Sequence, residues 1–167
     1  MPTHPGPIYF RIGRGQEPDV YPPAAPFEFG KAVEHGTGTD LTIIATGSTV
    51  HPALGAAHRL NAAGISTGVL DMHTVKPLDE AAVLAAAQRS GLVLTVEEHN
   101  VLGGLGGAVA ELLADAGAGA RLVRHGIQDE YALIGPPTHL YRHHGLDTDG
   151  IEAAARKALD PAPASQR

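Results

Sequence analysis

The chain has 167 residues, 43% of them hydrophobic but only 4% aromatic, with 21 glycines and 13 prolines. One domain with an aliphatic core and close backbone contacts is therefore expected. Twelve basic residues against 18 acidic ones leave a net charge of −6 with histidine neutral, and the absence of cysteine excludes disulfides, thiolate metal sites and cysteine nucleophiles.

No basic stripe appears, which argues against a nucleic-acid partner. No apolar run is long enough to span a membrane, and the start lacks a charged-then-apolar leader pattern, so no membrane partner and a cytoplasmic location are expected.

Residues 1–7 are rich in proline and glycine and read as irregular. Ile8–Ile12 reads as a short strand, closed by Gly13, Arg14 and Gly15. Pro18, Pro22, Pro23 and Pro26 mark residues 16–27 as an extended connector. A strand so isolated has no partner nearby, so the first fifteen residues read as the end of a preceding unit.

Phe29–Glu34 is expected as a strand that turns at Gly36–Gly38 and pairs with Leu41–Ala45 as an antiparallel hairpin. Gly47, Ser48 and Thr49 begin a helix to Ala63, ended by Gly64. Thr67–Asp71 is a third strand, and Asp79 after Pro77 caps a helix reaching Arg89. Leu92–Val96 has the composition of a strand buried on both faces. Charge at Glu97, Glu98 and His99 is expected to mark a turn, and Gly103, Gly104, Gly106 and Gly107 lead into a helix ending near Ala116. Ala120–Arg124 is a fifth strand and His139–His143 a helical turn. Thr148–Leu159 is a terminal helix capped by Thr148 or Asp149, before a frayed tail. Alternating strands and helices predict an α/β fold, a three-layer α/β/α sandwich. Its five-stranded sheet is expected to be mixed and mostly parallel, with the first strand antiparallel.

Ligands of open α/β sheets collect at the carboxyl ends of strands. Arg11 and Arg14 suit bidentate recognition of phosphate or carboxylate, although pattern alone favours solvated surface arginines. Glu97, Glu98 and His99 could serve acid–base chemistry, but a capping or interface role is preferred. Lys76 could hold an anion, whereas Pro77 and Asp79 more plainly start a helix. The glycine run fits neither a P-loop, lacking Lys-Ser/Thr, nor a dinucleotide fingerprint, whose third small position falls on Val109. Tight helix packing is preferred over a phosphate cradle. Of the ten histidines, His143 and His144 are adjacent and should point apart, and His51 and His58 lie two turns apart, so no metal site is expected. No Gly-x-Ser-x-Gly elbow signals a serine hydrolase.

Taken together in order, several segments resemble the C-terminal part of transketolases and their relatives. They are Pro7–Arg14, Gly30–Ala32, Asp40–Gly47, Gly64–Ile65, Val69–Met72, Thr74–Asp79, Val96–His99, Gly103–Gly106, Gly126–Ile127 and Gly145–Asp147. The resemblance implies enzymes that use thiamine diphosphate and magnesium to move a two-carbon ketol unit between sugar phosphates. Such enzymes combine a diphosphate-binding, a pyrimidine-binding and a C-terminal domain. Neither the metal-binding Gly-Asp-Gly…Asn motif nor the cofactor-activating glutamate is matched here.

On this resemblance, residues 1–28 are the end of a pyrimidine-binding domain plus connector, 29–160 the C-terminal-like domain and 161–167 a tail. The implied role is an accessory C-terminal subunit of a split transketolase-like transferase, inactive alone and binding no cofactor by itself. Thiamine diphosphate and magnesium would be held in the assembled enzyme. Its partners would be subunits carrying the other two domains, a second copy in a homodimer, and a phosphorylated sugar substrate. By position Arg14, with Arg11 beside it, matches the arginine that grips substrate phosphate in transketolases and 1-deoxyxylulose-5-phosphate synthases. Lys76, Glu97, Glu98, His99, Gly103, Gly104 and Gly106 are assigned to the subunit interface or substrate channel, and no residue is assigned a catalytic role. The alternatives are a non-catalytic module binding a small anion or a protein, or part of a deoxyxylulose phosphate synthase-like or 2-oxoacid dehydrogenase beta-like enzyme.

Overall fold

Runs of aliphatic residues build the sheet, and short loops with glycine or aspartate caps bound the helices. The computed structural model describes residues 5–13, 17–131 and 133–160. The elements run β1 (Val33–His35), β2 (Leu41–Ala45), a 3₁₀ turn (Gly47–Thr49), α1 (Val50–Ala62), β3 (Thr67–Asp71) and α2 (Glu80–Ser90). They continue as β4 (Leu92–Asn100), α3 (Leu105–Asp115), β5 (Arg121–Ile127), α4 (Pro137–His143) and α5 (Thr148–Leu159). Among the described residues no helix is long and apolar enough to cross a membrane.

The five strands lie in the order β1-β3-β2-β4-β5, with β1 antiparallel to β3 and the other pairs parallel. The mixed α/β sandwich expected from the sequence is therefore observed. Successive residues of β2 point to opposite faces. Ile43 joins an apolar cluster with Leu60, Val69, Leu94 and Ile151 beneath α1 and α5. Ile44 joins Leu70, Met72, Val83, Val93 and Val109 beneath α2 and α3. Each large aliphatic side chain buried this way contributes about 1.5–3 kcal/mol.

Four local expectations are corrected. β1 does not form a hairpin with β2: parallel β3 and β4 already occupy both edges of that fully buried strand, so β1 takes the outer edge of β3. Residues 8–12 form no strand, and Tyr9, Phe10 and Ile12 are exposed. The five strands of the sheet do not include them, so their backbone groups are not paired in its ladder. β4 does not stop at Val96 but runs on to Asn100, because β5 resumes pairing at Asn100–Ile127 after an irregularity. α5 is capped by neither Thr148 nor Asp149 but by Asp147, whose carboxylate accepts from Gly150 N at 2.9 Å. Asp79 caps α2 as expected, accepting from Ala82 N at 3.2 Å.

The proline-rich connector is fastened at the carboxyl end of β3. Tyr21 Oη donates to Asp71 Oδ2 at 2.7 Å and lies 2.8 Å from His35 Nε2 on β1. Phe27 packs edge-on against both Tyr21 and His73. Burial pushes the Asp71 carboxyl above the usual carboxylate range, opposed by the Tyr21 hydrogen bond and by His73 and His35. Burial and Asp71 together push the Tyr21 phenol up.

A raised carboxyl pKa means that folding favours the protonated form. That contribution is complete below the ordinary value, about 3.9, and is lost as pH rises through the raised one. Asp71→Asn stays neutral while keeping an acceptor for Tyr21. The wild type is therefore expected to lose stability relative to Asp71→Asn between about pH 4 and neutrality. Urea midpoints of both proteins across that range check this, and a constant difference would contradict it.

Candidate functional site

Strand order reverses around β2, with β3 on one side and β4 on the other, so the switch-point crevice opens at the carboxyl ends of β2 and β4. β2 leads into the 3₁₀ turn, where the Thr49 hydroxyl donates to Val96 O at 3.0 Å and fixes the turn against β4. Opposite it lie Glu97 and Glu98. As neighbours on a strand they face opposite sides, so they do not form one acid–base pair.

Glu97 points toward α3 and is 2% exposed. Its Oε2 accepts from Leu105 N at 2.7 Å and its Oε1 from Gly106 N at 2.8 Å. A negative charge here complements the positive end of the helix. The glycines make this approach achievable. A Cβ on Gly104 would collide with the Glu97 carboxylate, and one on Gly106 would lie 2.8 Å from Thr95 Oγ1. Gly103 turns the chain with φ of +77°. The two amides best placed to cradle a phosphate are already bound to a carboxylate, so a diphosphate group does not fit at the start of α3. His99, beside this cap, is more than half exposed, with Nδ1 2.7 Å from Asn100 O and 4.0 Å from Glu97 Oε2.

Glu98 gathers the other cluster. Its Oε2 accepts from Ser48 Oγ at 2.7 Å and from Arg11 Nη2 at 3.1 Å. Tyr141 of α4 reaches the same cluster, hydrogen-bonded with Ser48 and Glu98. Burial pushes the Tyr141 phenol up, the hydrogen bond to Ser48 counteracts this, and Glu98 and Glu17 add to the rise. Arg11 is thus committed to a carboxylate in this structure, while Arg14 lies outside the described residues. Lys76 is brought together with Gly103 and Gly104 along a cleft of about 570 Å³, whose other walls include Glu80, Glu111 and Asp115.

Sequence reasoning missed Ser48 and Tyr141 as partners of Glu98, and the Tyr21–Asp71–His35 fastening. The Gly-Ser-Thr run directly after β2 was a usable signal for Ser48. The partners of Asp71 and Tyr141 are distant in sequence and left no local trace.

The fold and this site define a doubly wound α/β domain with one antiparallel edge strand, whose glycine-rich helix start is sealed by its own carboxylate. The chain belongs to the family described as "Transketolase, C-terminal domain", which matches residues 30–151. It is 45% identical over 150 residues to an apulose-4-phosphate transketolase subunit of Phocaeicola vulgatus, covering 89% of this chain and 47% of that protein. It is 40% identical over 158 residues to the 6-deoxy-6-sulfo-D-fructose transketolase subunit SqwH of Clostridium sp. strain MSTE9, covering 95% and 49%. It is 38% identical over 158 residues to 1-deoxy-D-xylulose-5-phosphate synthase of Syntrophotalea carbinolica, covering 93% and 25%. A solved structure of similar fold, described as a split gene transketolase in an inactive beta4 tetramer, superposes with a TM-score of 0.86 at 40% identity, covering 92% of this chain and 50% of that one. The chain thus spans about half the length of these two transketolase subunits.

Proposed function

We propose that this chain supplies the C-terminal domain of a split, thiamine-diphosphate-dependent transketolase-type enzyme. That enzyme moves a two-carbon ketol unit between sugar phosphates in the cytoplasm. In this reading the chain is inactive alone, and subunits with diphosphate- and pyrimidine-binding domains complete the enzyme. Those subunits hold the cofactor and magnesium. The observation that carries the reading is the likeness, at 40% identity over 92% of this chain, to a split-gene transketolase chain. The sealing of the α3 amides by Glu97 agrees with a cofactor held elsewhere.

Within the assembly, Arg14 grips the substrate phosphate while Arg11 stays on Glu98. The Lys76 cleft, with Gly103 and Gly104, faces the substrate channel or a neighbouring subunit. The test is two-carbon transfer from a phosphorylated ketose with thiamine diphosphate and magnesium, run on this chain alone and with subunits carrying the other domains. Activity is expected only in the mixture; no activity and no complex in any mixture would overturn the reading.

In the active mixture, Arg14→Ala is expected to weaken a phosphorylated ketose about ten- to hundredfold, the range for losing a hydrogen bond to a charged group. An unphosphorylated analogue should be affected much less. Equal losses on both substrates would remove the phosphate grip while leaving the assignment to a split enzyme standing.

A further inference from the structure

We propose that Glu130, His143 and His144 bind a zinc-class divalent transition metal that pins α4 to the loop following β5. Neighbouring side chains inside a continuing helix diverge by about 100°, which is why the sequence suggested that these histidines point apart. In the structure α4 ends at His143 and His144 occupies the cap position with φ of −86° and ψ of 1°, and the side chains turn toward one another. The two rings meet edge to face with centroids 4.8 Å apart. From the other side, Glu130 places Oε1 3.6 Å from His144 Nδ1. One donor atom from each of the three residues lies within 4.8 Å of the others.

Tetrahedral zinc, with bonds of about 2.0–2.1 Å, holds its ligand atoms roughly 3.3 Å apart. The donors therefore need to close by no more than about 1.5 Å. Glu130 and His143 are exposed, while the His144 side chain, only 6% exposed, is the fixed point. Two imidazoles and one carboxylate are a zinc-type set, poorly matched to magnesium or calcium, which take oxygen ligands. His139 also lies four residues before His143 on α4, on the same helix face one turn away. It is not among the three residues whose donor atoms converge, so the fourth position is left to solvent.

The surroundings show what such a link would do. α4 is a seven-residue helix with no buried residue, far shorter than a helix that is stable in isolation. The segment leading into it leaves Tyr131, Leu133 and Ile134 exposed. A metal bridging Glu130 to the end of α4 would close this loop and hold the helix. The competing account, a bare Glu130–His144 ion pair, has no use for His143, and that residue decides between the two.

The test uses this chain without a tag, stripped with a chelator and titrated with zinc by calorimetry, with cobalt substituted for its visible spectrum. One site per chain is expected, with the ligand-field bands of a tetrahedral cobalt centre. His143→Ala and His144→Ala should each weaken zinc at least tenfold, while His51→Ala on α1 should leave it unchanged. Zinc should also slow amide exchange across residues 133–145. His143 is exposed, so its replacement tests the site even if His144→Ala fails to fold. Zinc affinity unaffected by His143→Ala, or several weak equivalent sites spread over the histidines, would overturn the proposal.

Discussion

Glu97→Ala is expected to lower the folding free energy by about 3 kcal/mol, because it leaves two buried backbone donors without partners. The carboxylate accepts from Leu105 N and Gly106 N, and both residues are buried at the start of α3. Each abandoned amide costs roughly 1–3 kcal/mol, and the vacated side-chain volume adds to the loss. Glu97→Gln keeps one carbonyl acceptor but turns an amide donor toward the other N–H, so it should fall between alanine and the wild type. Urea unfolding of the three proteins checks the order, and amide exchange in α3 locates the damage. A Glu97→Ala protein within about 0.5 kcal/mol of wild type, the range of an ordinary surface substitution, would overturn the capping role. It would also return Glu97 to the pool of ligand-binding groups. Activity adds a second check. Once Glu97→Ala is folded and assembled, the substrate KM should be unchanged, since a capping carboxylate does not touch the substrate.

Why the sequence disclosed some of this and not the rest follows from the range over which each interaction acts. β2, β3 and the first half of β4 were legible because consecutive buried aliphatic residues leave a local signature. Gly64 ended its helix through left-handed backbone, with φ of +82°, as local rules anticipate. The place of β1 was not legible. Its nearness to β2 in sequence argued for a hairpin, but the decision lay with β3 and β4, which claim both edges of β2. The charged half of β4 looked like a turn for a related reason. Glu98 is satisfied by Ser48 and Arg11, far away in sequence, and nothing near it announces them. Glu97 was closer to legible, because its partners lie just ahead in a glycine run that also signalled close packing. Asp147, Thr148 and Asp149 are all competent caps, and the choice depended on which one reaches Gly150 N. For His143 and His144, backbone direction alone was the wrong premise, because the two rings turn toward one another. The His139–His143 spacing was present in the sequence, but the structure groups His143 with His144 and with Glu130, which lies outside the helix.

Gly68→Ala is expected to cost about 3 kcal/mol or more, among the largest effects of a single methyl group, because the new carbon would meet backbone and not a side chain that could swing away. A Cβ there would lie 2.6 Å from Gly38 N, 2.7 Å from Gly36 O and 3.1 Å from the carbonyl carbon of Thr37. The turn between β1 and β2 crosses directly over the start of β3, and this crossing carries β1 to the outer edge of the sheet. Lifting the turn would strain the bonds that hold it down, from Asp40 N to Ser66 O at 3.0 Å and from Ser66 N to Asp40 Oδ2 at 2.8 Å. Gly107→Ala is the matched control. It places the same methyl on α3 with no atom within 4 Å, so it should be neutral or stabilise by up to about 1 kcal/mol through helix propensity. The consequence of Gly68→Ala should also be directional. His35 on β1 helps hold Tyr21, so loosening β1 loosens the connector, while β2 and β4 keep their parallel pairing. Faster amide exchange in residues 18–40, with β4 still protected, is the expected pattern. Wild-type stability in Gly68→Ala would contradict the crossing itself. Under the split-enzyme reading, such a variant should fold and yet complement its partner subunits poorly, because the connector would no longer be held at a fixed angle to the sheet.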